Sequence, residues 1–260
     1  MDASQLRDKV AIVTGASSGI GAATARLLAE KGARIALVAR SREILEEMSE
    51  TLPGSQVIPA DMTKIPAIRA MVKETLKRFG RIDILVNNAG RGYGANVEEI
   101  DLGLMRSLYE LNVIGPVAAM QEVIPIMRKQ GGGTIINISS GTALMHLPGI
   151  SAYSSSKRAI AGIGLAARQE LANDRITVSV VYPYRTVTGF WKNQFSAKPV
   201  QESAMPAGGP YPPDPPEYVA EKIVGGILSG EAEIFVHDWM KGGINPQKKN
   251  FVPRNRREIR

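Results

Sequence analysis

The chain has 260 residues, of which 44% are hydrophobic and 22% are charged, and it contains no cysteine. This size suits one large or two small globular domains. The absence of cysteine excludes a disulfide framework, thiolate metal sites and a cysteine nucleophile. No apolar run approaches the roughly 18 residues of a membrane span, and the first ten residues lack the apolar stretch of a signal peptide. We therefore expect a cytoplasmic protein without a membrane span.

The net charge of +7 is concentrated at one end of the chain. Residues 241–260 contain seven basic side chains and one acidic one, so the first 240 residues are nearly neutral. A basic tail can bind nucleic acid or anionic lipid, or it can be a solvated terminus. No aromatic-rich stacking surface accompanies these charges, and we do not expect a nucleic-acid partner.

Short β-branched segments alternate with longer segments of helical period. The predicted strands are 9–14, 34–39, 56–60, 82–87, 134–139 and 176–182. The predicted helices lie near 19–31, 42–51, 65–79, 101–130 and 153–173. Strands that are apolar throughout are covered on both faces, and strand–helix alternation requires parallel pairing through right-handed crossovers. The sequence therefore predicts an α/β fold with a Rossmann-like, doubly wound parallel sheet in a single domain.

The alternation stops after Pro183. Residues 184–216 are rich in proline, glycine and aromatic side chains, and a long segment of this kind is typical of a functional lid or a disordered insertion. Helical and strand character returns at 217–228 and 233–237. We predict one domain over residues 1–240, with 184–216 as a substrate lid, followed by the basic tail.

The first predicted strand leads into a glycine-rich turn, TGASSGIG, over residues 14–21. Glycines at such a turn let the backbone approach a pyrophosphate, and the N-terminus of the next helix offers N–H groups to its oxygens. Glycines can also simply close a turn, but the place after the first strand favours a nucleotide site. The residues expected to contact the dinucleotide here are Gly15, Ser17, Ser18, Gly19, Ile20 and Gly21.

The end of the second strand indicates which nucleotide is bound. An NAD site has an acidic residue about 20 positions beyond the glycines, which accepts hydrogen bonds from the ribose. This chain has Arg40 there, and a guanidinium would instead pair with the 2′-phosphate of NADP. Arg40 can also be an ordinary surface cation. We expect NADP as the cofactor, with NAD less favoured.

Tyr153 and Lys157 are one turn apart on a predicted helix, so their side chains share one face. A free tyrosine has a pKa near 10, which suits proton transfer at neutral pH poorly. A lysine ammonium nearby, together with an oxidised nicotinamide, would stabilise the phenolate and lower that pKa. Taken alone, this pair is a common feature of exposed helix surfaces, and its significance depends on the motifs that accompany it.

Five motifs of the chain occur in a characteristic order. They are the glycine turn, Asn87-Asn88-Ala89-Gly90 after the fourth strand, Asn112, Ser139-Ser140 after the fifth strand, and Tyr153-x-x-x-Lys157. Together they resemble the short-chain dehydrogenase/reductase family, in its single-domain form of about 250 residues. The resemblance covers residues 8–190.

The resemblance implies catalytic roles for four residues. Tyr153 would donate a proton to the substrate carbonyl oxygen during reduction and remove it during oxidation. Lys157 would hold the nicotinamide ribose and lower the tyrosine pKa. Ser140, rather than Ser139, lies 13 residues before the tyrosine and would hydrogen-bond the same oxygen. Asn112 would hold a water molecule that links the lysine to solvent.

Structural roles remain open for several of these residues. The two serines can simply end a strand, and Asn112 can bond to backbone at a helix irregularity beside Pro116. Asp61 resembles the acid that contacts adenine in the family, but it can also cap the next helix. The further cofactor contacts that the resemblance implies are Asp61, Met62, Asn88, Ala89, Gly90, Tyr153, Lys157, Pro183, Thr186 and Thr188.

One segment departs from the family pattern. The family commonly has glycine after the proline that follows the sixth strand, and this chain has Tyr184 there. Thr186 stands at a position that is usually valine, whereas Thr188 fits the residue that binds the carboxamide. The family's frequent C-terminal Asp-Gly-Gly segment is also absent. The local loop geometry and the second interface of a tetramer are therefore open.

Seven of the chain's 14 aromatic residues lie within residues 182–218. Aromatic walls favour a mainly apolar substrate, although some of these rings can also pack the lid or a subunit interface. We expect an NADP(H)-dependent oxidoreductase that interconverts a carbonyl and an alcohol on an apolar small molecule, with no metal site. A 3-oxoacyl-carrier-protein reductase and a non-catalytic nucleotide-binding sensor are the alternatives. The resemblance implies a homodimer or a homotetramer.

Overall fold

A computed structural model describes residues 6–191, 194–195 and 212–241 of the chain. Within this part, seven strands alternate with seven α-helices. The strands are β1 (Val10–Thr14), β2 (Arg34–Ala39), β3 (Gln56–Pro59), β4 (Ile84–Asn87), β5 (Gly133–Ile138), β6 (Ile176–Tyr182) and β7 (Glu233–Phe235). The helices are α1 (Gly19–Glu30), α2 (Arg42–Glu50), α3 (Ile65–Phe79), α4 (Leu102–Tyr109), α5 (Gly115–Gln130), α6 (Ser151–Glu170) and α7 (Pro216–Ser229).

All seven strands form one parallel sheet in the order β3-β2-β1-β4-β5-β6-β7. The strand order reverses between β1 and β4, where Ile12 of β1 pairs with Ala36 on one side and Leu85 on the other. In a sheet of this kind, ligands bind beyond the carboxyl ends of the strands at the point of reversal. The predicted single-domain, doubly wound fold is confirmed.

The sheet is buried on both faces because its strands contribute alternate side chains to two cores. In β1, Ala11 and Val13 belong to the core that α1, α2 and α7 cover, whereas Ile12 belongs to the core beneath α3, α5 and α6. Each of these side chains is fully buried. This double burial explains why the strands are apolar throughout instead of alternating with polar residues.

The segment predicted as one helix over 101–130 is divided in two. A π-helical turn, Glu110–Ile114, joins α4 to α5. Pro116 lies in the first turn of α5 and has no N–H to donate to the carbonyl of Asn112, so the regular hydrogen-bond pattern is interrupted there. Asn112 is buried at this turn, and its side chain is directed at residues near the carboxyl end of the sheet.

None of the described helices is long and apolar enough to span a membrane.

The two ends of the segment predicted as a lid meet each other. The Asp214 N–H donates to the Arg185 carbonyl at 2.7 Å, and the Val187 N–H donates to the Asp214 carbonyl at 2.8 Å. The Asp214 carboxylate is also paired with His237 Nε2 at 2.9 Å, beyond β7. Residues 196–211 lie outside the described part of the chain.

A buried carboxylate connects the amino ends of two neighbouring strands. Asp83 Oδ2 accepts a hydrogen bond from the Val10 N–H at 2.9 Å, and Arg81 donates to both Asp83 oxygens at 2.6 and 2.8 Å. Burial by itself raises the pKa of Asp83, but the hydrogen bonds from Arg81 and Val10 and the charges of Arg81 and Lys9 outweigh it, so the pKa lies below its usual value.

We expect Asp83→Asn to lower the free energy of unfolding by about 1–2 kcal/mol at pH 7, because the charge-assisted bonds from Arg81 are lost. A carboxylate with a lowered folded-state pKa contributes stability above its unfolded pKa of about 3.9 and loses it as the pH falls through the folded value. The difference between parent and variant should therefore shrink below about pH 4 in urea unfolding curves. Asp174→Asn removes an exposed pair with Arg128 and should change stability much less. Equal effects of the two variants would contradict this role for Asp83.

Candidate active site

A cavity of about 940 Å³ opens at the carboxyl ends of the strands, where the strand order reverses. Loops that follow β1 to β6 line it. The predicted cofactor contacts in its lining are Gly15, Ser17, Ser18, Gly19, Ile20, Arg40, Asp61, Met62, Asn88, Ala89, Gly90, Tyr153, Lys157, Pro183, Thr186 and Thr188. Ser140 also lines it, whereas Gly21 and Asn112 lie behind its wall.

The glycine turn is packed directly against the loop after β4. Gly15 has φ of +67°, and a Cβ there would lie 2.8 Å from Asn88 Nδ2. A Cβ on Gly21 would collide with the Gly15 carbonyl oxygen. The Asn88 amide donates to the carbonyls of Thr14 and Gly15 at 2.9 and 3.3 Å. Gly21 therefore supports the shape of the turn and does not line the cavity.

Thr14 fixes the spacing between the ends of β1 and β4. Its hydroxyl accepts hydrogen bonds from the N–H groups of Asn88 and Ala89 at 3.0 and 3.1 Å, and it donates to the Val86 carbonyl at 3.2 Å. The side chain is 1% exposed, so water cannot replace these bonds. One hydroxyl group thus holds the turn and the loop that form the floor of the cavity.

Arg40 and Asp61 lie at the rim, after β2 and β3. Asp61 Oδ1 accepts hydrogen bonds from the Thr63 N–H at 2.9 Å and the Thr63 hydroxyl at 2.8 Å. Burial raises the pKa of Asp61, but these bonds and the charges of Arg40 and Lys64 outweigh it and lower the pKa. Asp61 thus stays ionised while it holds the turn before α3, and it lines the cavity at the same time.

Tyr153 is 6% exposed and lines the cavity beside Ser140, which acts to lower the pKa of its phenol. Ser140 Oγ accepts from the Thr142 N–H at 3.2 Å and from the Thr142 hydroxyl at 3.0 Å, which leaves its own proton available to the tyrosine. The Ser139 hydroxyl instead donates to the Lys157 carbonyl at 2.8 Å. Of the two neighbouring serines, Ser140 faces Tyr153 and Ser139 anchors α6 to the end of β5.

Burial acts on Tyr153 and Lys157 in opposite directions. It raises the pKa of Tyr153 to about 12, which the Ser140 hydrogen bond only partly offsets. It lowers the pKa of Lys157 to about 8, and the Lys157 ammonium donates to the Ile138 carbonyl at 2.8 Å. The expected lowering of the tyrosine pKa is therefore not produced by the chain alone, because both side chains lie in surroundings that disfavour their charged forms.

Asn112 clamps the chain segment beside Lys157. Its Oδ1 accepts from the Arg91 N–H at 3.0 Å, and its Nδ2 donates to the Arg91 carbonyl at 3.0 Å and to Ser156 Oγ at 3.1 Å. A Cβ on Gly90 would lie 3.1 Å from Asn112 Oδ1 and 3.2 Å from Lys157 Nζ. The structural role that the sequence left open, a bond to backbone at a helix irregularity, is thus present, and the side chain also approaches Lys157.

Aromatic residues of the predicted lid cover Tyr153. The rings of Phe190 and Trp191 lie 5.7 and 5.4 Å from its ring. Trp191 is accommodated by Gly92, where a Cβ would lie 2.7 Å from the indole. Phe195 donates its N–H to the Gly92 carbonyl at 2.9 Å, which attaches the lid to the loop after β4. Of the seven aromatic residues noted in the sequence, Tyr211 lies outside the described residues.

Tyr184, which replaces the usual glycine, is accommodated without a left-handed backbone. Its ring packs edge-on against Trp239 at 5.1 Å and His237 at 6.2 Å. The neighbouring Pro183 carbonyl accepts from the Gly141 N–H at 2.7 Å, which keeps this loop beside Ser140. The larger side chain therefore joins an aromatic cluster beyond β7.

Two features of the site were missed in the sequence. The pair Asp214–His237 unites residues 23 positions apart through the fold, and neither belongs to a recognisable motif. Arg91 lines the cavity directly after the Asn-Asn-Ala-Gly turn. A basic residue at the end of a strand, beside a predicted phosphate site, is a signal that could have identified it.

Comparison with known proteins places this site in a family. The family model for short chain dehydrogenase matches residues 9–199. The chain belongs to the short-chain dehydrogenase/reductase family. It is 37% identical over 195 residues to the uncharacterized oxidoreductase YxjF of Bacillus subtilis (strain 168), a match that covers 74% of this chain and 76% of the relative. As a member of this family, the protein is an oxidoreductase.

Solved structures agree with this assignment. A short-chain dehydrogenase from Streptomyces avermitilis is 31% identical, with a TM-score of 0.78 over 87% of each chain. A 3-ketoacyl-(acyl-carrier-protein) reductase from Brucella melitensis, in complex with NADH, is 26% identical, with a TM-score of 0.80 over 89% of this chain and 97% of its own. The family binds a nicotinamide cofactor.

We expect Thr14→Val to destabilise the short-chain dehydrogenase by about 2–3 kcal/mol, because the buried N–H groups of Asn88 and Ala89 lose their acceptor. Thr14→Ser keeps the hydroxyl and should lose less than half as much. Urea unfolding of the parent and both variants measures the difference. A valine variant as stable as the parent would show that the hydroxyl does not hold the two N–H groups.

Proposed function

We propose that this protein is an NADP(H)-dependent oxidoreductase that interconverts a carbonyl and an alcohol on a mainly apolar small molecule. The observation that carries the proposal is the buried corner of the cavity in which Tyr153 meets Ser140, one helical turn from Lys157. A phenol, a hydroxyl and an ammonium side by side can transfer a proton and stabilise the oxygen that receives it.

The glycine turn fits a dinucleotide. Its glycines leave no room for a Cβ, and Ser18 at the start of α1 makes no side-chain capping bond, so the first N–H groups of the helix are available to phosphate oxygens. When bound, the nicotinamide supplies or accepts the hydride. Lys157 would hold its ribose and Thr188 its carboxamide, while Asp61 and the Asn88–Gly90 loop would hold the adenosine.

Tyr153 would donate its phenol proton to the substrate carbonyl oxygen in reduction and take it back in oxidation. Ser140 would hydrogen-bond the same oxygen, because the two bonds from Thr142 leave its own proton free to donate. Asn112 would position the segment beside Lys157 and bind the water that passes protons to it. Since burial raises the tyrosine pKa to about 12, oxidation needs added positive charge near the phenol to form the phenolate at neutral pH.

Arg40 supports NADP over NAD. It is exposed at the rim of the cavity after β2, where an NAD site would have a carboxylate. Its guanidinium can form a forked pair with the 2′-phosphate, and the two donors of such a fork suit a phosphate better than the neutral ribose hydroxyls of NAD.

The substrate side of the cavity is mainly apolar. Met145, Leu147 and Ile150 line it, opposite the rings of Phe190 and Trp191. An apolar ketone, aldehyde or secondary alcohol would be held there by its shape, with its oxygen directed to the tyrosine. Residues 184–216 would act as the lid of this pocket within the 1–240 domain. The described parts of that segment cover Tyr153, and the two ends of the segment meet at Asp214.

A second candidate is the reduction of carrier-bound 3-oxoacyl chains. The likeness to the Brucella melitensis reductase favours it. An acidic carrier would require basic residues beside the pocket, and the basic tail 241–260, of which the structure describes Lys241 alone, would supply them. A carrier-linked substrate that is reduced much faster than its free thioester, with the advantage lost on removal of the tail, would identify this activity.

A homodimer or homotetramer is part of the proposal. The apolar side chains of Leu102, Ile114 and Ile163 on α4, the π-helical turn and α6 are exposed on the monomer, at 63%, 44% and 38%. An interface between subunits over these helices would cover these side chains. A non-catalytic sensor is the third reading, and the presence of both Tyr153 and Lys157 in one pocket argues against it.

We expect Tyr153→Phe to reduce the rate of NADPH oxidation with apolar ketones by roughly 10²–10⁴-fold, because the proton donor is removed. NADPH binding should be retained, since the ring and its contacts with Phe190 and Trp191 remain. The assay follows NADPH absorbance with a panel of aliphatic and aromatic ketones. Tyr109→Phe, which removes a phenol outside the cavity, is the matched control. A Tyr153 variant as fast as the parent would refute the proposed mechanism, and a parent that binds NADPH but reduces no carbonyl would favour the sensor.

We expect Arg40→Asp to weaken NADP⁺ binding by roughly 30- to 100-fold and NAD⁺ binding by less than about threefold, because only NADP⁺ has a 2′-phosphate that would lose its partner. Calorimetric titration of the two dinucleotides measures both dissociation constants. Arg42→Asp is the control with equal charge change, since Arg42 is paired with Glu46 at 3.3 Å and lies outside the cavity lining. Equal losses for the two dinucleotides would show that Arg40 does not bind the 2′-phosphate.

A further inference from the structure

Arg91 is a second cation at the nucleotide side of the cavity. It follows the Asn-Asn-Ala-Gly turn after β4 and lines the same cavity as Arg40 and Asp61. Its side chain is partly buried, and among the described residues its guanidinium forms no ion pair with a carboxylate. A partly desolvated cation that faces a ligand cavity without an acidic partner is suited to binding an anion.

The backbone of Arg91 is held rigidly. Asn112 accepts from its N–H and donates to its carbonyl, both at 3.0 Å. A Cβ on the preceding Gly90 would lie only 3.1 Å from Asn112 Oδ1 and 3.2 Å from Lys157 Nζ, so there is little space for the loop to shift toward the catalytic corner. This clamp sets the direction in which the arginine side chain leaves the loop.

The guanidinium is positioned by the lid. Its carbon lies 5.0 Å from the centre of the Phe195 ring, a cation–π arrangement. Phe195 is itself attached to the loop after β4, because its N–H donates to the Gly92 carbonyl at 2.9 Å. A guanidinium that packs on an aromatic face keeps the N–H groups along its own edge free. These groups can still donate hydrogen bonds in the plane of the guanidinium.

The charges near Arg91 indicate which end of the cavity it serves. Burial lowers the pKa of Arg91, the positive charge of Arg40 lowers it further, and the charge of Asp61 acts in the opposite direction. These two neighbours follow β2 and β3, on the side of the glycine turn away from β5 and the catalytic serine. Arg40 and Arg91 line the same cavity, and an anion bound there would stabilise both guanidinium groups.

We infer that Arg91 is an anion-binding residue of the nucleotide site, which together with Arg40 binds a phosphate group of the dinucleotide. The inference rests on the proposed nucleotide-dependent function and extends it to a residue outside the family motifs. The ligand chemistry is a phosphate oxygen, whether of the 2′-phosphate or of the pyrophosphate.

The experiment is a set of calorimetric titrations of the full chain with NADP⁺, NAD⁺ and adenosine 2′-monophosphate. The variant Arg91→Met removes the charge and keeps an unbranched stem against Phe195, and we expect NADP⁺ to bind roughly 10- to 30-fold more weakly. Arg91→Lys keeps a charge without the planar fork, so its affinity for NADP⁺ should lie between those of Arg91→Met and the parent. Arg26→Met, on the exposed face of α1 outside the cavity, is the charge-matched control.

The three ligands distinguish the two phosphate sources. Weaker binding of NADP⁺ and adenosine 2′-monophosphate with unchanged NAD⁺ identifies the 2′-phosphate, whereas equal weakening of NADP⁺ and NAD⁺ identifies the pyrophosphate. The double variant Arg40→Met/Arg91→Met should lose NADP⁺ affinity by a factor that differs from the product of the two single-variant factors. Such non-additivity is expected because the two side chains share one ligand group.

Unchanged affinity of Arg91→Met for all three ligands, relative to Arg26→Met, would overturn the inference and leave the proposed function intact. A parent that binds neither dinucleotide would refute the proposed function itself, and this inference with it. Because the Arg91 side chain is only partly buried, thermal unfolding of each variant should match the parent, which separates a loss of binding from a loss of fold.

Discussion

The burial of a phenol beside an ammonium is the constraint on which the arrangement of the site depends. Removal from water raises the pKa of Tyr153 to about 12 and lowers that of Lys157 to about 8, so burial disfavours the charged form of each. Tyr153 therefore keeps its proton until a positive charge enters the pocket, whereas Lys157 gives up its proton more readily than a free lysine. Under the proposed mechanism, proton transfer from Tyr153 depends on what occupies the neighbouring part of the cavity.

The surrounding fold supplies the rigidity that this arrangement requires. Thr14 joins the ends of β1 and β4 through three hydrogen bonds, and Asn112 joins the loop after β4 to the second turn of α6 through Ser156. Asn112 can do this because Pro116 breaks the helix and produces a π-helical turn. A local defect in one helix therefore places an amide where a regular helix would direct it elsewhere.

Much of this could be predicted from the sequence, for identifiable reasons. Strands apolar on both faces and glycines at fixed offsets specified the sheet and the turn, and spacing alone preferred Ser140 to Ser139. The sequence predicted one helix over 101–130 and left an irregularity beside Pro116 open, but its division into α4 and α5 by a π-helical turn was not specified. Motif spacing also could not predict the directions of the pKa shifts, because these shifts depend on burial by side chains that are distant in the chain. For the same reason Asp214 and His237 gave no signal.

The departure from the family pattern at Tyr184 is absorbed within the fold. The Tyr184 ring packs with Trp239 and His237 where it lines the cavity, and His237 is paired with Asp214 at the far end of the predicted lid. A substitution at a loop that borders the cofactor is thus absorbed by a cluster that anchors the lid. The bond from the Gly141 N–H to the Pro183 carbonyl keeps this loop beside Ser140 despite the larger side chain, so the position of the serine does not depend on a glycine at residue 184.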